Sequence, residues 1–375
     1  MKTLSQRLRP LATAIACALL SFSRTLHAVD ATTDPVGFVT VDYQSNTDSY
    51  CLIPFKRTPE YAGSIANVAG SVLTASGTQN FGNLVYASGT QPKTYFIIFT
   101  TGTLAGQFFT VTANTATTVT VDNSNGAALT SGVGSNFQII PFDTLGSVFP
   151  AGQGIVPSPG FGLGARQTQI LIPDNSGVGI DLAPTQFYYY YSGVSQGGPG
   201  WRSTSQPASL MVNDAVLYPD SYFIVRQAGT GSSNTFMGTV HMAQLATNVG
   251  TLEASSTQDN AIALPFSSDI TLAQSKLVDS GAFTPSTGFG LAARRDELYV
   301  RDNTVAGQDK GADFIFYYYS GAAQGGPGWR RTDDLASNKH DTDVIFSTRY
   351  GVTLRKFGAG AATSAVWAVK PPYVP

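Results

Sequence analysis

Residues 160–202 read GFGLGARQTQILIPDNSGVGIDLAPTQFYYYYSGVSQGGPGWR, and residues 288–330 read GFGLAARRDELYVRDNTVAGQDKGADFIFYYYSGAAQGGPGWR. Laid over each other without a gap, 22 of these 43 positions are identical, and they are spread along the whole window. Register of that quality marks a duplicated unit. Within each copy an aromatic run, Phe187 to Tyr191 or Phe314 to Tyr319, reads as a strand, whose consecutive rings must point to opposite faces. The following Gly-Gly-Pro-Gly cannot continue a ladder, because proline lacks an N–H and glycine admits left-handed backbone. It predicts a hairpin tip leading into Trp201-Arg202 and Trp329-Arg330.

Working outward, the duplication extends upstream. Residues 36–55 (VGFVTVDYQSNTDSYCLIPF) are echoed by residues 249–266 (VGTLEASSTQDNAIALPF), with the same Val-Gly start and Pro-Phe end. The second copy then runs directly into its GFGL element, whereas the first is interrupted. The interruption, residues 57–140, is strand and turn throughout: SIANVAGSVLTASG, NLVYASG, TYFIIFTTG, GQFFTVTANTATTVTVDNSNG. Ala113 to Ala116 separates two β-branched runs and predicts a hairpin turn. Apart from a short helix expected over Leu272 to Leu277, no apolar stripe has helical period.

The fold class expected is therefore all-β: two homologous tandem sandwich- or barrel-like modules, with a small β barrel or roll inserted into the first. The boundaries read as a signal segment over 1–28, first strands of module 1 over 29–56 and the insertion over 57–140. The rest of module 1 spans 141–247, and module 2 spans 248–375. A membrane β-barrel is the rival. The prolines at the chain end, Pro371, Pro372 and Pro375, suit an edge strand better than a closed seam.

Lys2, Arg7 and Arg9 precede an apolar run from Leu11 to Phe22 that is too short to span a membrane, which is the pattern of a secretory signal. Cys17 lies inside that run, so export without a lipid anchor is expected. Setting aside Lys2, Arg7, Arg9 and Arg24 leaves 18 basic against 24 acidic residues, a balance that disfavours nucleic acid as partner. Cys51 is then the one remaining thiol, so packing and not disulfides must hold the exported chain together. Charged residues make up 12% of the chain, about half the usual ~25%, which fits an extracellular β protein.

The exported start, the opening Asp-Pro-Val-Gly-Phe-Val-Thr-Val (residues 34–41), Ile53-Pro-Phe-Lys-Arg57 and the Tyr-Tyr-Ser-Gly…Gly-Trp element together resemble an uncharacterised family of exported bacterial proteins. The likeness runs over the whole mature chain and implies export; it brings no activity, ligand or catalytic residue with it.

Chemistry is sparse in the residues themselves. No G-x-S-x-G elbow, H-E-x-x-H or phosphate loop occurs, and the two histidines beyond the signal, His241 and His340, fall at non-equivalent places in the copies. No cofactor is expected. Asp174 and Asp302, each followed by Asn, read as turn formers. Asp333, Asp334, Asp341 and Asp343 form an acidic run around His340 that makes a weak calcium candidate. The richest candidate ligand surface is the repeated aromatic one: Tyr189, Tyr191, Trp201 and Arg202, with Tyr317, Tyr319, Trp329 and Arg330. If open, these side chains stack on sugar rings; if closed, they are a core. Arg166, Arg294, Arg202 and Arg330 are expected to pair internally with Asp174/Asp302 or Asp181/Asp309. The reading is a non-enzymatic exported cell-envelope or secreted protein, structural or adhesive, with polysaccharide or other envelope proteins as partners. Carbohydrate binding through the repeated Tyr/Trp surface is the alternative, and a polysaccharide-active enzyme a distant third.

Overall fold

The computed structural model describes residues 34–82, 94–360 and 363–374. The expected signal segment and the NLVYASG stretch lie outside these residues. Module 1 opens with β1 (Val36–Tyr43) and β2 (Asp48–Cys51). The insertion then contributes β3 (Tyr61–Ala69), β4 (Val72–Ala75), β5 (Tyr95–Phe99), β6 (Phe108–Asn114), β7 (Thr118–Val121) and β8 (Asn136–Pro141). Module 1 resumes with β9 (Asp143–Thr144), a one-turn helix α1 (Leu145–Val148), β10 (Thr168–Ile172), β11 (Gln186–Tyr191) and β12 (Gly200–Ser203). It closes with β13 (Val216–Leu217), β14 (Phe223–Gln227) and β15 (Ser232–Thr239). Module 2 runs through β16 (Leu245–Gly250), β17 (Gln258–Ile262), β18 (Ile270–Thr271), β19 (Glu297–Asp302) and β20 (Phe314–Tyr319). Its last strands are β21 (Gly328–Arg331), β22 (Val344–Phe346), β23 (Tyr350–Lys356) and β24 (Ser364–Val369).

The two modules follow the same strand order. One five-stranded sheet is ordered β12-β11-β10-β14-β2, and the other, read in the same sense, β21-β20-β19-β23-β17. Each is accompanied by two ribbons, β1-β15 and β9-β13 in module 1, β16-β24 and β18-β22 in module 2. Every pairing within these sheets is antiparallel. Each module is thus one sheet backed by ribbons; the closed barrel is confined to the insertion, whose six strands run β3-β4-β7-β6-β5-β8. The hairpin expected near Ala113 is the β6–β7 turn.

In β5 the two-residue period of a strand is put to double use. Ile97 and Phe99 face the barrel interior with Val111, Val119 and Ile139. Phe96 and Ile98 face outward and, with Ile140 and Phe142, belong to the same apolar cluster as Leu245, Val249 and Trp367 of module 2. Each such side chain contributes about 1.5–3 kcal/mol on burial. The barrel also reaches the edge of β16: Gln107 bridges Ala246 in parallel, and the Ala246 N–H donates to the Gly106 carbonyl at 2.9 Å. The insertion interrupts module 1 in sequence yet packs on module 2 in space.

The helix expected over Leu272 to Leu277 is absent. A single turn forms there, with the Ser275 N–H donating to the Thr271 carbonyl, and Lys276 then takes a left-handed φ of 56° that ends it. In module 1 the equivalent turn, α1, is capped by Thr144 and Ser147 in a reciprocal capping box.

Candidate functional site

The aromatic element of each copy is closed, not open. Trp201 and Trp329 are 1% and 3% exposed, and Tyr189, Tyr191, Tyr317 and Tyr319 are buried. Each tryptophan meets its own tyrosine strand edge-on: Tyr190 at 5.8 Å from Trp201, Tyr318 at 5.5 Å from Trp329. A sugar needs an exposed ring face for stacking, and these rings are occupied by protein.

Arg202 and Arg330 have 0% exposure, and neither forms an ion pair among the described residues. Arg202 instead donates to backbone carbonyls: Nε to Ala208 at 2.6 Å, Nη1 to Trp201 at 3.1 Å, Nη2 to Gln196 at 3.1 Å and Gly198 at 2.6 Å. Arg330 repeats this with Ala336, Trp329, Gln324 and Gly326. The rigid guanidinium fork suits this role, tying one carbonyl of the Gly-Gly-Pro-Gly tip to carbonyls on either side of it in one cage. The tip needs it, because Gly197, Gly198 and Gly200 all have left-handed φ. Each guanidinium also lies over the ring of Tyr191 or Tyr319, at 5.8 and 5.9 Å. The expected arginine–aspartate pairing is therefore corrected: a buried fork flanked by carbonyls is satisfied without a carboxylate. Arg166 and Arg294 sit 4.9 Å over Tyr189 and Tyr317 and donate to the Phe161 and Phe289 carbonyls. Arg294 also meets Glu297.

The repeated Asp-Asn-x-x-x-Gly-x-Asp loops have a different task, in which each module reaches across to the other. Asn303 of module 2 donates to the Tyr50 carbonyl at 2.8 Å and accepts from the Tyr50 N–H at 2.7 Å, on strand β2 of module 1. Asn175 of module 1 makes the same two bonds with Ala261 on β17, at 3.0 and 2.8 Å. The Gly307 carbonyl accepts from the Asp48 N–H, and the Gly179 carbonyl from the Asp259 N–H. Arg226 then pairs with Asp48 and with Asp309 from the other module, while Arg355 pairs with Asp259 and with Asp181. Asp181 and Asp309 pay a left-handed φ of 53° and 51° for this placement. Sequence reasoning missed Arg226 and Arg355. Their signal was the shared Arg that precedes Gln227 and Lys356.

Asp174 keeps its turn-forming role: burial would raise its pKa, but the Ser176 and Gly177 donors outweigh that and lower it. Asp302 is likewise lowered, since Arg349 and Thr304 outweigh its burial. The weak calcium candidate is dispersed. Asp333 is engaged by Arg331, Asp341 accepts from the Trp329 N–H, and Asp334 and Asp343 clamp His340 at 3.1 and 2.8 Å. Among the described residues no three acidic, histidine or cysteine side chains converge on a metal position.

Perturbed groups lie elsewhere. Burial pushes Asp143 and Asp220 up to about 6, Arg57 opposing it at Asp143. Burial, with the charge of Lys56, pushes His241 down to about 3, and its Nε2 has no hydrogen-bond partner among the described residues. Asp220 borders three clefts, of about 240, 390 and 220 Å³, with Tyr218 beside it in the first two. A further cleft of about 440 Å³ lies at the joint between the modules, lined by Tyr50, Tyr222, Phe187, Arg226, Arg301 and Lys310 among others. Arg301 is 5.4 Å over Tyr50 and donates to Thr353 at 3.0 Å. The two modules line the joint cleft unequally: where module 2 supplies Arg301 and Lys310, module 1 supplies Pro173 and Leu182.

What the copies share and leave exposed is the rim beside each tip. Leu163 and Leu291 are 74% and 78% exposed, and Gln196 and Gln324 are exposed on left-handed backbone. Among the described residues no helix is long and apolar enough to cross a membrane. Neither a protein-family model, nor a curated protein, nor a solved structure matches the chain.

Proposed function

We propose that this is a non-enzymatic exported protein of the cell envelope or its surroundings, structural or adhesive in role. One observation carries the reading: most of the polar residues both copies keep are spent on stiffness. Arg202 and Arg330 cage their own tips, and the Asn175 and Asn303 loops brace each module against the other. A catalyst would concentrate its shared polar residues around one reacting atom; here they are distributed along a frame. Two modules cross-braced in this way make a stiff body with equivalent tips. Antibody labelling of intact producing cells and of their medium tests the reading. Labelling at the surface or in the medium is expected, and a protein found only after lysis would sink it.

Carbohydrate binding stands as the second reading, favoured by Phe161 and Phe289, which are half-buried at the rims of the tips. Time-dependent release of reducing ends from a polysaccharide would replace both readings with a hydrolase.

A further inference from the structure

We infer that each module carries a subsite for a neutral polysaccharide on the rim of its tip, giving two equivalent subsites per chain; this rests on the carbohydrate reading. The rim of module 1 is formed by residues 160–165 and 192–200, and that of module 2 by residues 288–293 and 320–328. The two segments of a rim are held together from below. Phe161 stacks on Tyr191 at 4.1 Å and Phe289 on Tyr319 at 4.2 Å. The Ser192 N–H donates to the Ser158 carbonyl, and the Ser320 N–H to the Ser286 carbonyl.

Three features of the rim have no explanation in packing. First, Leu163 and Leu291 are the same residue in both copies although most of each side chain is in water. Second, Gly162 and Gly290 have ordinary φ values of −64° and −71°, and a Cβ there would meet nothing within 4 Å. Neither backbone nor crowding inside the chain asks for glycine, whereas close approach of something outside does. Third, Gln196 and Gln324 occupy left-handed backbone, φ 51° and 48°, where glycine or asparagine is the easy choice. The arginine cage uses only their carbonyls. The amides make no hydrogen bond with any described residue and face solvent in both copies. Strain retained with a free polar group is the pattern of a functional position.

The ligand class follows from the chemistry. Neither rim segment contains a charged residue in either module. Apolar Leu, a half-buried Phe and a free amide match a polymer that offers C–H faces and hydroxyls without charge. Two subsites sharing Leu, Phe and Gln on one stiff body favour a repeating polymer, because the second contact gains from effective concentration.

The test is gel retardation of the exported chain in gels cast with dextran, with a β-1,3-glucan, with xyloglucan or with alginate. Retardation by at least one neutral polymer and none by alginate is expected. Gln196→Gly and Gln324→Gly are the decisive variants, since glycine suits the left-handed backbone and the tips stay folded. Each alone is expected to weaken retardation by about tenfold or more through lost avidity, and the two together to abolish it with no fall in Tm. No retardation by any neutral polymer, retardation by alginate alone, or full retardation in the double variant would overturn the inference. Surface labelling of cells together with any of these outcomes leaves the structural reading standing and removes only this one.

Discussion

In module 1 the side chain of Thr168 donates to Gln227 at 2.7 Å and accepts from the Val156 N–H at 2.9 Å, a neutral pair with no exposure. At the same two places module 2 has Asp296 and Lys356. The ammonium is bonded to the carboxylate and to the Ala282 carbonyl, and the carboxylate also accepts from the N–H groups of Thr284 and Phe357. The site requires an acceptor for one backbone N–H and a partner that completes it. It is indifferent to whether the pair is charged, provided both members change together, because a lone buried charge is what costs most. The ribbons differ in a second way. The edge of β16 is covered by the barrel, whereas among the described residues β1 pairs only with β15 and leaves Phe38 and Met237 largely exposed. One frame has thus been finished differently in its two copies.

The largest effect expected on this comparison is from excision of residues 57–140 with a short Gly/Ser linker. With no counterpart in module 2, the insertion reads in the sequence as dispensable. Because Phe96, Ile98 and Ile140 share a cluster with module 2, excision should uncover the face of β16 and make the protein aggregate, read by light scattering. A soluble, cooperatively unfolding product would show that module 2 does not depend on the barrel.

Next, Lys356→Met should cost about 3–5 kcal/mol in denaturant unfolding, since it strands the Asp296 carboxylate. Installing the neutral pair of module 1 with Asp296→Thr and Lys356→Gln together should cost clearly less than Lys356→Met. Equal losses would mean that the two sites are not interchangeable.

The histidines sharpen the contrast, with His241 buried in module 1 and His340 held between two carboxylates in module 2. The folded pKa of His241 is about 3 against an unfolded ~6.5, so the unfolded chain binds more protons between those values. Stability from this group is therefore complete above about pH 6.5 and lost as pH falls towards 3, at no more than about 1.4 kcal/mol per pH unit. Asp143 and Asp220, pushed up to about 6, act oppositely between about 4 and 6, where the folded state holds the extra proton. His241→Gln should flatten the acid limb of the stability–pH curve. An unchanged limb would assign the acid loss to other groups.

At the joint, Asn303→Ala and Asn175→Ala should each cost about 1–3 kcal/mol, by leaving backbone groups of Tyr50 or Ala261 unpaired. A cost confined to one of them would show that the brace is not symmetric. Of similar size, Gly198→Val and Gly326→Val should cost about 1–3 kcal/mol each from left-handed strain, because a Cβ there would meet nothing within 4 Å. Thermal melts of the two variants should match, and a difference would locate divergence within the tips.

By itself the sequence determined what depends on neighbours along the chain. The all-β class follows from short alternating runs and turn residues, the tips from Gly-Gly-Pro-Gly, and the duplication from 22 matched positions in register. It also held the two interruptions of symmetry, the insertion and the substitution of Asp296 and Lys356 for Thr168 and Gln227. Tertiary structure alone decided which partners those residues take. Arg202 has carboxylates within a few dozen residues on either side, yet it is satisfied by carbonyls of its own tip. Asp48 finds Arg226, 178 positions away, and Asp309, beyond it in the other module. Local propensity acts over a turn or a strand, whereas burial and polar satisfaction are settled when distant strands meet. The same Tyr and Trp pattern therefore fits an open sugar-binding face or a closed core, and only the packing of Tyr190 and Tyr318 against the two tryptophans closed it.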